Sequence, residues 1–268
     1  MFKKLLMSGV GLVALTTIPA AAADIPVKAP RTATVVAAVY DWTGFYIGVH
    51  GGGGWGKKES STPAFTIGGL PIAAASSSNK PSGWLAGGQI GYNFYQSPTP
   101  SWFGGRLVLG VEAQGSWADL EDTVACSSTV VGGPVLNANC SSNVDALGTV
   151  AVRYGTAWDR FFLYSKLGVA WARDEYSVVS TSGLLPGASF SADETRWGWM
   201  SGTGLEIAMG SNWSIKGEYN YMSMGKERVT FSGTPAGVAF DSDIKQCIHV
   251  IKFGVNYRFG SRAVVARY

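Results

Sequence analysis

Apolar and polar positions alternate along most of this chain, and the alternation is sharp in eight segments: 43–55, 83–95, 106–117, 145–155, 161–173, 196–208, 212–223 and 247–259. On a strand, side chains at i, i+2 and i+4 share one face. Four segments, 106–117, 196–208, 212–223 and 247–259, each hold two charges on one parity. Arg106, Glu112 and Gln114 oppose Leu107, Leu109, Val111 and Trp117. Arg153 opposes Val150, Val152 and Tyr154, and Lys166 opposes Leu163, Leu167, Val169 and Trp171. Arg196 and Glu206 face away from Trp197, Trp199, Leu205 and Ile207, while Lys216, Glu218 and Asn220 face away from Trp213, Ile215, Tyr219 and Tyr221. In the last segment Lys252, Asn256 and Arg258 oppose Ile251, Phe253, Val255, Tyr257 and Phe259.

A charge facing lipid at mid-depth costs about 2–4 kcal/mol, so these mid-strand charges are tolerable only if they point into a lumen. The apolar parity also carries aromatic pairs ten residues apart: Phe45 and Trp55, Trp84 and Phe94, Phe161 and Trp171. Ten residues of tilted strand rise roughly 26 Å, close to the apolar band of about 25 Å between aromatic girdles. A soluble barrel with an oily interior would reverse this polarity. Connections 96–105, 156–160 and 209–211 are short, whereas 56–82, 118–144, 174–195 and 224–246 are long and rich in Ser, Gly, Thr, Asn and Pro. The fold class expected is therefore all-β: an eight-stranded antiparallel up-and-down transmembrane β-barrel with short periplasmic turns and long extracellular loops.

Composition places this barrel in the cell. Lys3 and Lys4 precede an apolar run to Ile18, followed by Pro19 and Ala21-Ala22-Ala23. That is the form of a cleaved signal peptide over 1–23, and the run is short for a membrane anchor. Residues 24–41 read as an extended periplasmic linker, 42–259 as the barrel and 260–268 as a tail. The net charge of +3 belongs largely to the signal peptide, so nucleic acid is not an expected partner. Export makes a Cys126–Cys140 disulfide the expected state of that Ser/Asn-rich segment, two unpaired thiols being the alternative. Cys247 is left over as a small hydrophobe. No metal-binding spacing occurs.

Two stretches near the barrel's start, Ala23-Asp24-Ile25-Pro26-Val27-Lys28-Ala29-Pro30 and Asp41-Trp42-Thr43-Gly44-Phe45-Tyr46-Ile47-Gly48, resemble the opening of a known family. So do Gly87-Gly88-Gln89-Ile90-Gly91-Tyr92-Asn93-Phe94 and Asn256-Tyr257-Arg258-Phe259. The family is that of the α-proteobacterial outer-membrane immunogenic proteins, also called porin-family surface antigens. The resemblance implies an eight-stranded barrel like the transmembrane domain of OmpA, a periplasmic N-terminus, surface loops and immunogenicity. Lys252, Gly254, Tyr257 and Phe259 likewise resemble the last-strand signal read by the outer-membrane assembly machinery, although this chain continues for nine residues beyond Phe259. Some relatives are described as binding haem. No axial-ligand pattern accompanies the resemblance here, and no cofactor is expected.

Motifs for chemistry are few. Gly51 to Gly56 satisfies G-x-G-x-x-G, but Lys57-Lys58-Glu59-Ser60-Ser61-Thr62-Pro63 follows it, not a helix that could aim amides at phosphate. His50 faces inward and His249 outward, so no Ser–His–acid site is expected and the chain reads as a non-enzyme. The inward charges are the richest feature: acids Glu112, Glu206 and Glu218 against bases Arg106, Arg153, Lys166, Arg196, Lys216, Lys252 and Arg258. Paired, they form a polar plug in a barrel just wide enough for side chains to fill. The expectation is an envelope structural protein and surface antigen in the outer membrane, monomeric, with outer-membrane lipids, lipopolysaccharide and the assembly machinery as partners. The alternative is a narrow porin-like channel for small solutes, weakly anion-preferring.

Overall fold

The computed structural model describes residues 40–101, 104–183, 186–234 and 238–260. The expected signal peptide, the linker through residue 39 and the tail after Gly260 lie outside the described residues. In chain order the strands are β1 (Gly44–Thr62), β2 (Phe65–Ile67), β3 (Leu70–Ile72), β4 (Ala75–Asn79), β5 (Ser82–Gln96) and β6 (Arg106–Thr129). They continue with β7 (Val135–Trp158), β8 (Phe161–Ser182), β9 (Ser189–Ala208), β10 (Trp213–Thr234) and β11 (Ala239–Arg258). Each large strand pairs antiparallel with its neighbours, and β11 also pairs with β1 from Tyr46↔Arg258 to Ser61↔Asp243. The sheet thus closes on itself and has no free edge in the hydrocarbon, where an unpaired amide would have no water to bond. β4 pairs with the Lys58–Thr62 end of β1 and β5 with the Gly44–Trp55 end. Together they make one stave, and the ring has eight.

Sidedness follows the parity rule. Val49, Trp55, Trp84, Phe94, Val111, Trp117, Phe161, Leu167, Trp197 and Phe253 are exposed on the outer face, while Glu112, Arg153, Lys166, Arg196, Glu206, Lys216, Glu218, Lys252 and Arg258 are buried within. The staves outrun the expectation. Residues 56–82, 118–144, 174–195 and 224–246, which read as loops from their composition, are mostly strand. The β6–β7 hairpin has 24 residues per arm, roughly 80 Å of strand where a span needs about 9–11 residues. Beyond the lipid both faces of such a ribbon carry polar groups, so its composition mimics a loop while its pairing persists.

The periplasmic end is tight. Trp158 pairs with Phe161 across a two-residue turn, and Asp159 there is the one non-glycine with positive φ, at 49°, among the described residues. Aspartate tolerates that left-handed conformation. In the lumen, glycine makes room for large side chains. A Cβ at Gly91 would collide with the Tyr46 ring, and one at Gly204 with the Tyr164 ring.

Candidate functional site

The lumen is built in layers, set by the positions that each stave points inward. At the periplasmic mouth Trp42 is fully buried just before β1 and clusters with Val108, Ala157, Phe162, Tyr164 and Ala208. Its indole donates to the Asp159 carbonyl at 2.8 Å and its backbone amide to Gln96 Oε1 at 2.7 Å. The Arg258 guanidinium lies 4.8 Å from its ring centroid.

Above it sits the charge cluster. Lys166 Nζ bridges Glu218 Oε1 at 2.6 Å and Glu112 Oε1 at 3.0 Å. Lys216 reaches the same two carboxylates at 3.4 and 3.2 Å, and Lys252 lies 3.3 Å from Glu218 Oε1. Arg153 pairs with Glu206 and donates to Tyr46 Oη at 2.8 Å, whose own hydroxyl donates to Glu112 Oε2 at 2.7 Å. Arg258 Nη2 is 3.6 Å from Glu206 Oε1, and Asn256 donates to that oxygen at 3.0 Å. Tyr164 donates to Glu218 at 2.9 Å. No charged member of this cluster is more than 4% exposed, and each has a partner, as buried ions require.

Two residues expected in this network stand elsewhere. Arg106 is half-buried at the first position of β6, beside the periplasmic turn, and makes no ion pair among the described residues. It begins its stave too low to reach the carboxylates. Arg196 is buried but higher, donating to Gln246 Oε1 at 2.9 Å and to the Ile244 carbonyl at 2.7 Å, with Glu227 at 3.4 Å. It belongs to a second polar layer that includes a Lys58–Asp174 pair at 2.8 Å, with Gln246 also donating to Asp174 at 2.9 Å. Burial pulls the Lys58 ammonium below its ordinary pKa and Asp174 opposes the fall. Between the two layers lies an apolar zone of Leu85, Leu120, Leu147, Met200, Met222 and Ile248.

Neither histidine forms a catalytic arrangement. His50 contacts Gln89 and, at 2.7 Å, the Ser116 hydroxyl. The third group is a neutral amide, which cannot stabilise an imidazolium as a carboxylate does, and the void beside Ser116 holds only about 10 Å³. His249 faces outward, stacked 5.5 Å from Trp55 and 2.8 Å from the Tyr219 hydroxyl. The glycine run 51–56 lies inside β1, with strand after it through Thr62, so it cradles no phosphate.

A model of the outer membrane protein beta-barrel domain matches residues 10–259. The chain belongs to that family. The 31 kDa outer-membrane immunogenic protein of Brucella melitensis is 29% identical over 256 residues, covering 92% of this chain and 97% of the relative. The 25 kDa outer-membrane immunogenic protein of Brucella abortus is 26% identical, covering 87% of this chain and 85% of its own. Among solved structures, the outer membrane protease OmpT of Escherichia coli superimposes with a TM-score of 0.50 at 8% identity, over 82% of this chain and 98% of that one. That likeness is one of fold. The likeness to outer-membrane immunogenic proteins spans most of the chain, and the protein is an outer-membrane β-barrel.

Above the girdle the staves continue as long paired ribbons. Cys126 and Cys140 are disulfide-bonded across the β6–β7 hairpin, and Cys247 is a free, half-buried thiol on β11. Closing a ring of this size removes chain entropy worth about 3 kcal/mol. Replacing both cysteines by serine is expected to expose the β6–β7 ribbon to proteinase K in intact vesicles while the membrane-embedded fragment survives. Equal cleavage rates with and without the bond would show that the ribbon's hydrogen bonds suffice.

Proposed function

We propose that this barrel is a closed envelope protein: a structural element of the outer membrane, with no catalytic role, whose lumen is plugged by its own charged side chains and whose ribbons face the exterior. The observation carrying this reading is the charge cluster. Glu112, Glu206 and Glu218 are shared among Arg153, Lys166, Lys216, Lys252 and Arg258, with Trp42 beneath them and the methionine- and leucine-rich zone above. The apolar outer band suits membrane lipid and lipopolysaccharide, and closure within a single chain suits a monomer. Lys252, Gly254, Tyr257 and Phe259 on or beside β11 suit recognition by the assembly machinery, since this stave must find β1 last.

The full chain, refolded and confirmed closed by the different gel mobility of boiled and unboiled samples, is expected to give no current steps above the lipid baseline in planar bilayers. Regular steps would overturn the plug. The cluster's excess of cations over carboxylates favours one second reading, a narrow anion-preferring channel, and a salt-gradient reversal potential would then carry its sign.

A further inference from the structure

Above the Lys58–Asp174 pair the interior becomes a chamber, with the β2–β3 hairpin at its outer end. Ile72 bridges to Val130, the Val131 amide donates to the Pro71 carbonyl at 2.9 Å, and Phe65 stacks 5.2 Å from Phe240. The chamber, partly open, holds about 180 Å³. Part of its wall is aromatic and aliphatic, with Phe65, Tyr176, Phe190, Phe231, Phe240 and Ile244, and serines, Thr62 and two asparagines line much of the rest. Phe231 and Phe240 stack at 5.0 Å, and Phe190 meets Phe240 edge-on at 5.5 Å. A concave surface with a clustered apolar wall and a few placed polar groups is the usual form of a small-molecule site. An apolar cavity of about 150 Å³ takes up benzene, so this volume suits one ring.

Polar atoms in the chamber refine the occupant. Lys58, which lines the chamber, is paired with Asp174, so a charged ligand would find no free counter-ion there. Ser142 lines the chamber, is 4% exposed, and its hydroxyl has no hydrogen-bond partner among the described residues. A buried hydroxyl left unpaired is costly, and a ligand that satisfies it is preferred over an isostere that does not. We propose that this chamber is a binding site for a neutral single-ring aromatic alcohol, with the ring among the phenylalanines and its hydroxyl on Ser142 Oγ. The site lies outward of the charge cluster, so it does not depend on whether the lumen conducts.

The test uses the full chain in phosphatidylcholine vesicles, with 4-fluorophenol and fluorobenzene followed by fluorine NMR against empty vesicles. A saturable 4-fluorophenol component is expected beyond lipid partitioning, with fluorobenzene binding roughly tenfold more weakly. Ser142→Ala should remove that preference and leave ring binding intact. Ala138→Trp, which projects an indole from the chamber wall, should abolish binding of both probes. Partitioning without saturation, an unchanged probe ratio in Ser142→Ala, or undiminished binding in a folded Ala138→Trp would overturn the assignment. Ser142→Ala removes a single oxygen and keeps the test decisive where the indole prevents folding.

Discussion

Arg153→Met is expected to be among the most destabilising single substitutions in this barrel, costing about 3–5 kcal/mol. Arg153 is fully buried, and its guanidinium pairs with Glu206, lies 3.5 Å from Glu112 and sits 3.8 Å from the centroid of the Tyr164 ring. Methionine matches much of its volume but supplies no charge. Glu112 retains Lys166 and Lys216, whereas Glu206 is left with Arg258 at 3.6 Å and neutral donors. The cost therefore falls on one desolvated carboxylate. Adding Glu206→Gln should recover much of the loss, because removing both charges is far cheaper than removing one. Urea unfolding of vesicle-reconstituted protein, followed by the gel-mobility difference, measures both variants. A single variant as stable as the parent, or a double variant no better than the single, would mean that water or rearranged neighbours already solvate Glu206.

The same cluster shows how far the amino-acid sequence carries. Lipid is an unforgiving solvent on one side of each stave, so parity alone assigns Glu112, Arg153, Lys166, Glu206, Lys216, Glu218, Lys252 and Arg258 to the inside, where the structure buries them. Parity says nothing of height, which is why it groups Arg106 and Arg196 with residues they do not reach. Above the girdle the outer face meets water, the contrast between faces fades, and paired ribbon reads as loop. Lys58 and Asp174 escape notice for that reason. Each continues the inward parity of its stave, Lys58 from His50 and Asp174 from Lys166, and the alternation extended past the aromatic girdle reaches both. Trp42 is hidden differently. It precedes β1, where no alternation exists to assign a face, and its neighbours are brought together only by barrel closure.

That isolation makes Trp42 the second informative substitution. Trp42→Ala is expected to cost about 3–5 kcal/mol, the range for truncating a large buried aromatic, because the indole is fully enclosed and holds the segment before β1 inside the periplasmic mouth. Its loss would orphan the Asp159 carbonyl and remove the ring that packs 5.2 Å from Phe162 and 4.9 Å from Tyr40. The Trp42 carbonyl, which accepts from Asn93 at 2.7 Å and from Arg258, remains available in the variant, so the effect isolates the side chain from the backbone anchor. Urea midpoints measure the cost, and the same samples in planar bilayers separate two roles for the indole. A cork lying below an intact charge cluster should stabilise without gating, so current stays at the lipid baseline even in the destabilised variant. Steps appearing in Trp42→Ala alone would move the seal from the carboxylates to the indole, since the ions above it would then have been shown to leave a path for solute.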